Sequence, residues 1–228
     1  ADGATTGRAG KLVFYTHGLC PYAQRVALAL EEKELPYERI EIDLSDKPSW
    51  YAQTTGTTLV PALQLPDGRV QAESLDICKL VEANFPGVRS LMPPAEGSSV
   101  ESLIAMSRDL EGAGWGVLGG AWNFPTSGTP SSSSVKRFEE VLGRLETAIR
   151  RSKGPFLCGA DVSLADCALA PFMLRFALVM PRTRGYDPLE KFPLVRIWVD
   201  ALRERPSYRA TFPDPESFLT AIVKFGSL

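Results

Sequence analysis

The sequence predicts an α/β half followed by an all-α half, and three observations carry that expectation. Between residues 11 and 84, short β-rich runs alternate with amphipathic stretches in the order β-α-β and then β-β-α. From residue 98 onward every periodic segment carries the helical repeat. Residues 85–97 are rich in Pro and Gly and lack periodicity. The expected organisation is a disordered leader at 1–10, a sheet-containing domain at 11–84, a linker at 85–97 and a helical domain at 98–228.

Residues 11–16 (KLVFYT) form a short β-rich run. Residues 21–33 place Val26, Leu28, Ala29 and Leu30 along an apolar side and charges at the far end, so they predict a helix. Pro36 breaks the chain, and residues 37–44 alternate with Ile40 and Ile42 on one face, as a strand does. This βαβ unit implies parallel strands and a right-handed crossover. Residues 47–55 read as a loop or short helix. Residues 59–65 (LVPALQL) form a strand interrupted by Pro61, and Pro66-Asp67-Gly68 turns the chain into a partner at 69–72. A helix over 74–84 completes a thioredoxin-like plan.

Helices are then expected at 100–112, 135–151, 164–180 and 194–205, with a last one at 216–225. Residues 126–134 read as a Ser/Pro/Gly loop. Ser163-Leu164-Ala165-Asp166 has capping-box spacing, with Asp where Glu or Gln is usual, and Asp166 is expected to serve folding rather than catalysis.

Composition narrows the function. Charged residues make up 23% of the chain at a net charge of −2, which leaves no broad basic field to recruit nucleic acid or anionic membrane. No apolar run reaches the roughly 18 residues that span a bilayer. Small polar residues at 1–10 read as a leader or as the stub of a processed transit peptide, so the expected compartment is the cytoplasm or a plastid. The four cysteines form no C-x-x-C pair and no zinc spacing, which fits a reducing compartment and predicts no metal site. Cys78 and Cys167 lie among apolar neighbours, as buried structural thiols do. His17 is the one histidine, so multi-histidine metal sites are excluded and a Ser-His-Asp triad has a single candidate base.

Cys20-Pro21-Tyr22-Ala23 joins the first strand to the first helix. Pro suits the first helical position, which puts Cys20 at the helix N-terminus, where free N–H groups and the macrodipole favour a thiolate. Arg25 stands one turn on. Ala23 occupies the position where a dithiol redox protein has its second Cys, so a mixed disulfide on Cys20 must be resolved by an outside thiol. From chemistry alone a passive, half-buried Cys20 stays open. Pro61 at the start of a strand fits a cis Val60-Pro61 bond that turns Val60 backbone groups toward an extended peptide, and an ordinary trans edge proline is the plainer reading. Glu73-Ser74 opens the next helix. Ser74 as N-cap and a helix N-terminus that holds a carboxylate, with Glu73 beside it for an ammonium, would suit a zwitterionic amino-acid end, and a plain cap with a surface acid stays equally open.

These pieces resemble the soluble glutathione transferase superfamily, and within it the cysteine-type branch of omega, lambda and dehydroascorbate reductase classes. The matching segments are CPYAQRV, IDLSDKPSWY, LVPAL, AESLDICKLVEANFPG and GPFLCGADVSLADCALAPF. The lambda class looks closest, from ESLDICKLVEANF and DPESFLTAIVKF. Dehydroascorbate reductases usually carry Asp before the catalytic Cys, and this chain has Leu19.

The resemblance implies that residues 11–84 bind glutathione as co-substrate, with Cys20 as the catalytic thiol. Lys47 would meet the glycine carboxylate, the Val60 backbone the cysteinyl unit, and Glu73 and Ser74 the γ-glutamyl ammonium and carboxylate. By itself Lys47 is a surface lysine. The implied activity is glutathione-dependent thiol transfer, as deglutathionylation or reduction of small conjugates and mixed disulfides. Dehydroascorbate reduction and a non-catalytic glutathione- or aromatic-ligand-binding module are the alternatives. Small hydrophobic or aromatic conjugates are the expected partners, in a pocket between the domains for which Trp115, Trp122, Phe124, Phe172 and Phe176 are candidates, although plain core packing suits each of them better. Neither nucleic acid nor membrane is expected as a partner, and the expected state is a monomer or weak homodimer. His17 can assist Cys20 as a base, but an exposed loop histidine is the simpler expectation.

Overall fold

The computed structural model describes residues 10–93, 99–120 and 128–225, the side chains of 223–225 excepted. Residues 1–9 of the expected leader, 94–97 of the expected linker and residue 98 lie outside them. Two compact units divide the chain, Ala1–Leu91 and Met92–Leu228.

The first unit runs β1 (Leu12–Thr16), α1 (Pro21–Glu32), β2 (Tyr37–Glu41), α2 (Ser49–Thr55), β3 (Ala62–Gln64), β4 (Val70–Ala72) and α3 (Ser74–Asn84). The sheet order is β2-β1-β3-β4. β1 pairs in parallel with β2, Leu12 opposite Tyr37, and antiparallel with β3, Phe14 opposite Leu63. Every residue of β1 is buried, as a central strand requires. Val13 and Tyr15 point to one face, where they pack with Ile42, Tyr51 and Ala62. α1 and α3 pack on each other. β2 is an edge strand and exposes Glu38, Arg39 and Glu41.

Two strands are shorter than their patterns. β2 stops at Glu41, and β3 starts only at Ala62, after Pro61, which has no N–H for a ladder. The expected turn at residues 66–68 forms, with the Gly68 N–H donating to Leu65 O at 2.9 Å and Gly68 at φ 87.

The end of this unit is tied back to α1. Lys33, 1% exposed, places Nζ 2.8 Å from Glu82 of α3 and donates to Arg89 O at 3.1 Å. Arg89 pairs with Glu32, and the Val88 N–H donates to Lys33 O at 3.2 Å. Between them Gly87 sits at φ 58, where a Cβ would come within 2.4 Å of Lys33 O, so only glycine fits this close approach.

The second unit comprises α4 (Val100–Leu118), α5 (Ser132–Ser152), α6 (Leu164–Arg184), α7 (Pro193–Glu204), α8 (Pro206–Thr211) and α9 (Pro215–Phe225). α4 packs against α5 and α6, and α5 against α7. α4 runs six residues past its expected end at Gly112. Gly114 explains part of this, since a Cβ there would fall 2.1 Å from the Phe176 ring, so the glycine lets α4 and α6 close together. Ser131 caps α5 by accepting the Ser134 N–H at 3.2 Å, so the last residues of the expected loop at 126–134 are a helix start instead. Residues 126–127 of that loop lie outside the described ones. α8 is too short to show a period and was not expected.

α6 continues through Pro171 and Pro181. Contrary to the sequence expectation, it holds an 18-residue window apolar enough to cross a membrane, at mean hydropathy 1.5, and 89% of that window is buried, as in a core helix. At its start Asp166 is fully buried. Its carboxylate accepts from the Leu157 N–H at 3.0 Å, the Ser163 N–H at 2.8 Å, the Ser163 hydroxyl at 2.7 Å and Trp198 Nε1 at 2.8 Å. Burial raises its pKa above the usual carboxylate value while these four donors pull it down.

Candidate active site

Cys20 is the N-cap of α1, with Pro21 as the first helical residue. The loop before it is held by hydrogen bonds that its N–H groups donate to side chains and backbone. The Gly18 N–H donates to Glu41 Oε1 at 2.5 Å, the Leu19 N–H to His17 Nδ1 at 3.2 Å, and the Cys20 N–H to His17 O at 3.0 Å. The residue is 5% exposed, and its Sγ lies 3.9 Å from Val60 O. The Val60-Pro61 bond is cis.

Tyr51 fixes the segment before Val60, its hydroxyl donating to Leu59 O at 2.7 Å. Burial pushes this phenol up to about 12; the Thr55 hydroxyl opposes the rise, and Tyr15 and the Cys20 thiol add to it. Leu59 itself is 64% exposed.

His17 is half-buried, not the exposed loop residue expected. Burial is the main cause of its lowered pKa and Arg39 adds to it, against Glu41 and Asp43. Its Nδ1 shapes the turn ahead of Cys20 by accepting the Leu19 N–H.

At α3 the structure corrects one detail. Glu73 is the N-cap and Ser74 the first helical residue. Glu73 is exposed, with φ 66 and ψ 110, a backbone region that non-glycine residues seldom adopt. Such outliers gather at functional sites, and no sequence pattern announces this one. Ser74 is buried, and Arg25 Nη1 donates to its Oγ at 3.4 Å. Arg25 is 2% exposed and lies over the Tyr22 ring at 5.3 Å. The sequence placed Arg25 one turn past Cys20 but gave no sign that it reaches α3, 49 residues away.

The expected residues thus fall into two contacts, Cys20 with Val60 and, through Arg25, α1 with Ser74 beside Glu73. Lys47 stands exposed on the loop before α2. An exposed carboxylate next to a helix N-terminus is an arrangement that suits a ligand carrying an ammonium beside a carboxylate. Of the other thiols, Cys78 and Cys167 are buried, and burial pushes Cys78 up to about 12 against the pull of Arg25. Burial also raises Cys158.

Among the aromatic candidates, Phe172 and Phe176 are fully buried, and Trp115 meets them edge-on at 6.4 and 5.1 Å, so all three pack in the second unit. Trp122 and Phe124 lie outside the described residues.

Residues 19–84 match the N-terminal domain family of glutathione S-transferases, and residues 99–201 match the C-terminal domain family. The chain is 32% identical over 194 residues to glutathione S-transferase DHAR2 of Arabidopsis thaliana, covering 85% of this chain and 84% of that one. It is 29% identical over 215 residues to the chloroplastic glutathione S-transferase L2 of the same plant, covering 92% and 69%. The crystal structure of glutathione transferase Omega 3C from Trametes versicolor superposes at a TM-score of 0.76 with 27% identity, covering 92% of this chain and 91% of that one. Both family domains occur in order, and identity to DHAR2 extends through most of both chains, so this chain belongs to the glutathione S-transferase family and is a glutathione-using enzyme.

Proposed function

We propose that the chain is a thiol transferase that removes glutathione from mixed disulfides or susceptible conjugates through Cys20. The observation that carries this reading is a lone thiol at the N-cap of α1, 3.9 Å from the carbonyl of Val60, with Ala23 where a second thiol would stand. The Cys20 thiolate attacks the glutathionyl sulfur of the substrate. In a mixed disulfide the S–S bond breaks and the substrate leaves as a thiolate that takes up a proton; in a conjugate the C–S bond breaks, and the carbon leaves with the electron pair and takes up the proton. Cys20 then holds glutathione as a mixed disulfide and gives it up to a second glutathione thiolate, as glutathione disulfide. The net exchange consumes one glutathione thiol and yields the reduced substrate and glutathione disulfide, and the protein ends unchanged. Lys47 would hold the glycine carboxylate, the Val60 backbone the cysteinyl unit, and Glu73 with Ser74 the γ-glutamyl end.

With this reading goes a division into a glutathione-binding domain at 11–84 and a helical domain at 98–228, and a place in the cytoplasm or a plastid. Leu19, where dehydroascorbate reductases carry Asp, favours lambda-type chemistry. The 32% identity to DHAR2, against 29% to L2, favours dehydroascorbate reduction as the second reading.

The test is turnover of a small glutathione mixed disulfide by wild type and Cys20→Ser, with ascorbate formation from dehydroascorbate measured in parallel. Wild-type turnover lost in Cys20→Ser supports the proposal. Turnover retained in the variant removes Cys20 as nucleophile, and glutathione binding without turnover in either protein leaves a binding module.

A further inference from the structure

We propose that Arg25 is a positioning residue for the α-carboxylate of the γ-glutamyl end, acting through Ser74 at the start of α3. The inference rests on the reading above that puts that end at Glu73 and Ser74.

Arg25 belongs to α1, five residues after Cys20, yet the residue as a whole is 2% exposed. Burying a guanidinium costs several kcal/mol unless its surroundings compensate. Nη1 donates to Ser74 Oγ at 3.4 Å, and Cζ lies over the Tyr22 ring, 5.3 Å from its centroid. The positive charge is felt at Cys78, one turn along α3 from Ser74, where it opposes the effect of burial. Three neighbours therefore locate the cation beneath the first turn of α3. That turn already offers N–H groups and the positive end of a helix dipole.

Ser74 passes the charge on. A hydroxyl has one donor and two acceptor lone pairs. Arg25 takes a lone pair, which leaves the O–H free to donate outward and makes it a stronger donor. A carboxylate at this terminus then meets a hydroxyl and N–H groups backed by a full positive charge. Arginine suits the place better than lysine because it stays charged and its fork reaches Ser74 while Cζ lies over Tyr22.

The test is calorimetric titration in a Cys20→Ser background, with glutathione and with 4-aminobutyryl-cysteinylglycine, which lacks only the α-carboxylate. The parent should prefer glutathione, and Arg25→Met should cut that preference by about tenfold, the worth of a charge-assisted bond. Arg25→Lys should restore part of it. A general loosening of the fold would weaken both ligands alike and leave the ratio intact. Should Arg25→Met fail to fold, Ser74→Ala and Arg25→Lys carry the same comparison. An unchanged ratio in the folded variants overturns the role of Arg25 while leaving the site reading in place. A parent that binds neither ligand overturns the site reading, and the inference with it.

Discussion

Opposing forces act on the Cys20 thiol. Its burial and the Val60 carbonyl 3.9 Å away favour the neutral form. The α1 N-terminus favours the thiolate by up to about 2 kcal/mol, more than one pKa unit. The helix should win, and iodoacetamide alkylation followed against pH should show a midpoint below the ~8.5 of a free thiol. A midpoint at or above that value would mean that burial prevails. Glu73 stands under a different tension, its φ of 66 held in a region that costs a non-glycine residue about 1–3 kcal/mol. Glu73→Gly should therefore leave the fold as stable as wild type or more so, while glutathione affinity falls. Titration of Cys20→Ser proteins should also find Glu73→Ala weaker than Lys47→Ala, because the acid sits beside a helix terminus and Lys47 is an exposed loop residue. Equal affinity in Glu73→Ala and its parent would move the tripeptide elsewhere.

Helices with caps were the most legible elements, and those whose limits depend on distant packing the least. Pro21 marked the start of α1, and Ser163 with Asp166 marked the start of α6. The spacing of that box did not disclose Trp198, whose Nε1 reaches the same carboxylate from 32 residues away. Asp166→Ala would strand an indole, a hydroxyl and two backbone donors, so a loss of about 3 kcal/mol or more is expected. Urea denaturation followed by tryptophan fluorescence measures it, and a loss under 1 kcal/mol would mean that water replaces the carboxylate. α4 outran its pattern for a similar reason. Its glycines look like a stop in sequence, whereas Gly114 is a contact surface for Phe176.

For the whole molecule, the division into an α/β and an all-α half was legible because period 2 gives way to period 3.6 along the chain. The tie that closes the first unit was not, since Lys33, Glu82 and Arg89 look like surface charges until α1 and α3 meet. Burial pushes the Glu82 carboxyl up, but the Lys33 ammonium, the Ser90 hydroxyl and the Leu91 N–H more than offset it, and its pKa is lowered. A carboxyl lowered in the folded state contributes stability above its unfolded value of ~4.3 and loses it as pH falls through the folded value. Unfolding of the first unit, followed through Trp50, should become easier over that acid range. Glu82→Gln should flatten this response and, by stranding the buried Lys33 charge, cost about 3 kcal/mol at neutral pH. An unaltered acid response in the variant would assign the effect to other carboxyls. The charged edge strand has a consequence of another kind. A short sheet with a bare flank is a template on which a neighbouring chain can crystallise as one more strand, and crowding rewards that growth. Glu38, Arg39 and Glu41 on β2 make an addition at that flank desolvate a row of ions, which disfavours it.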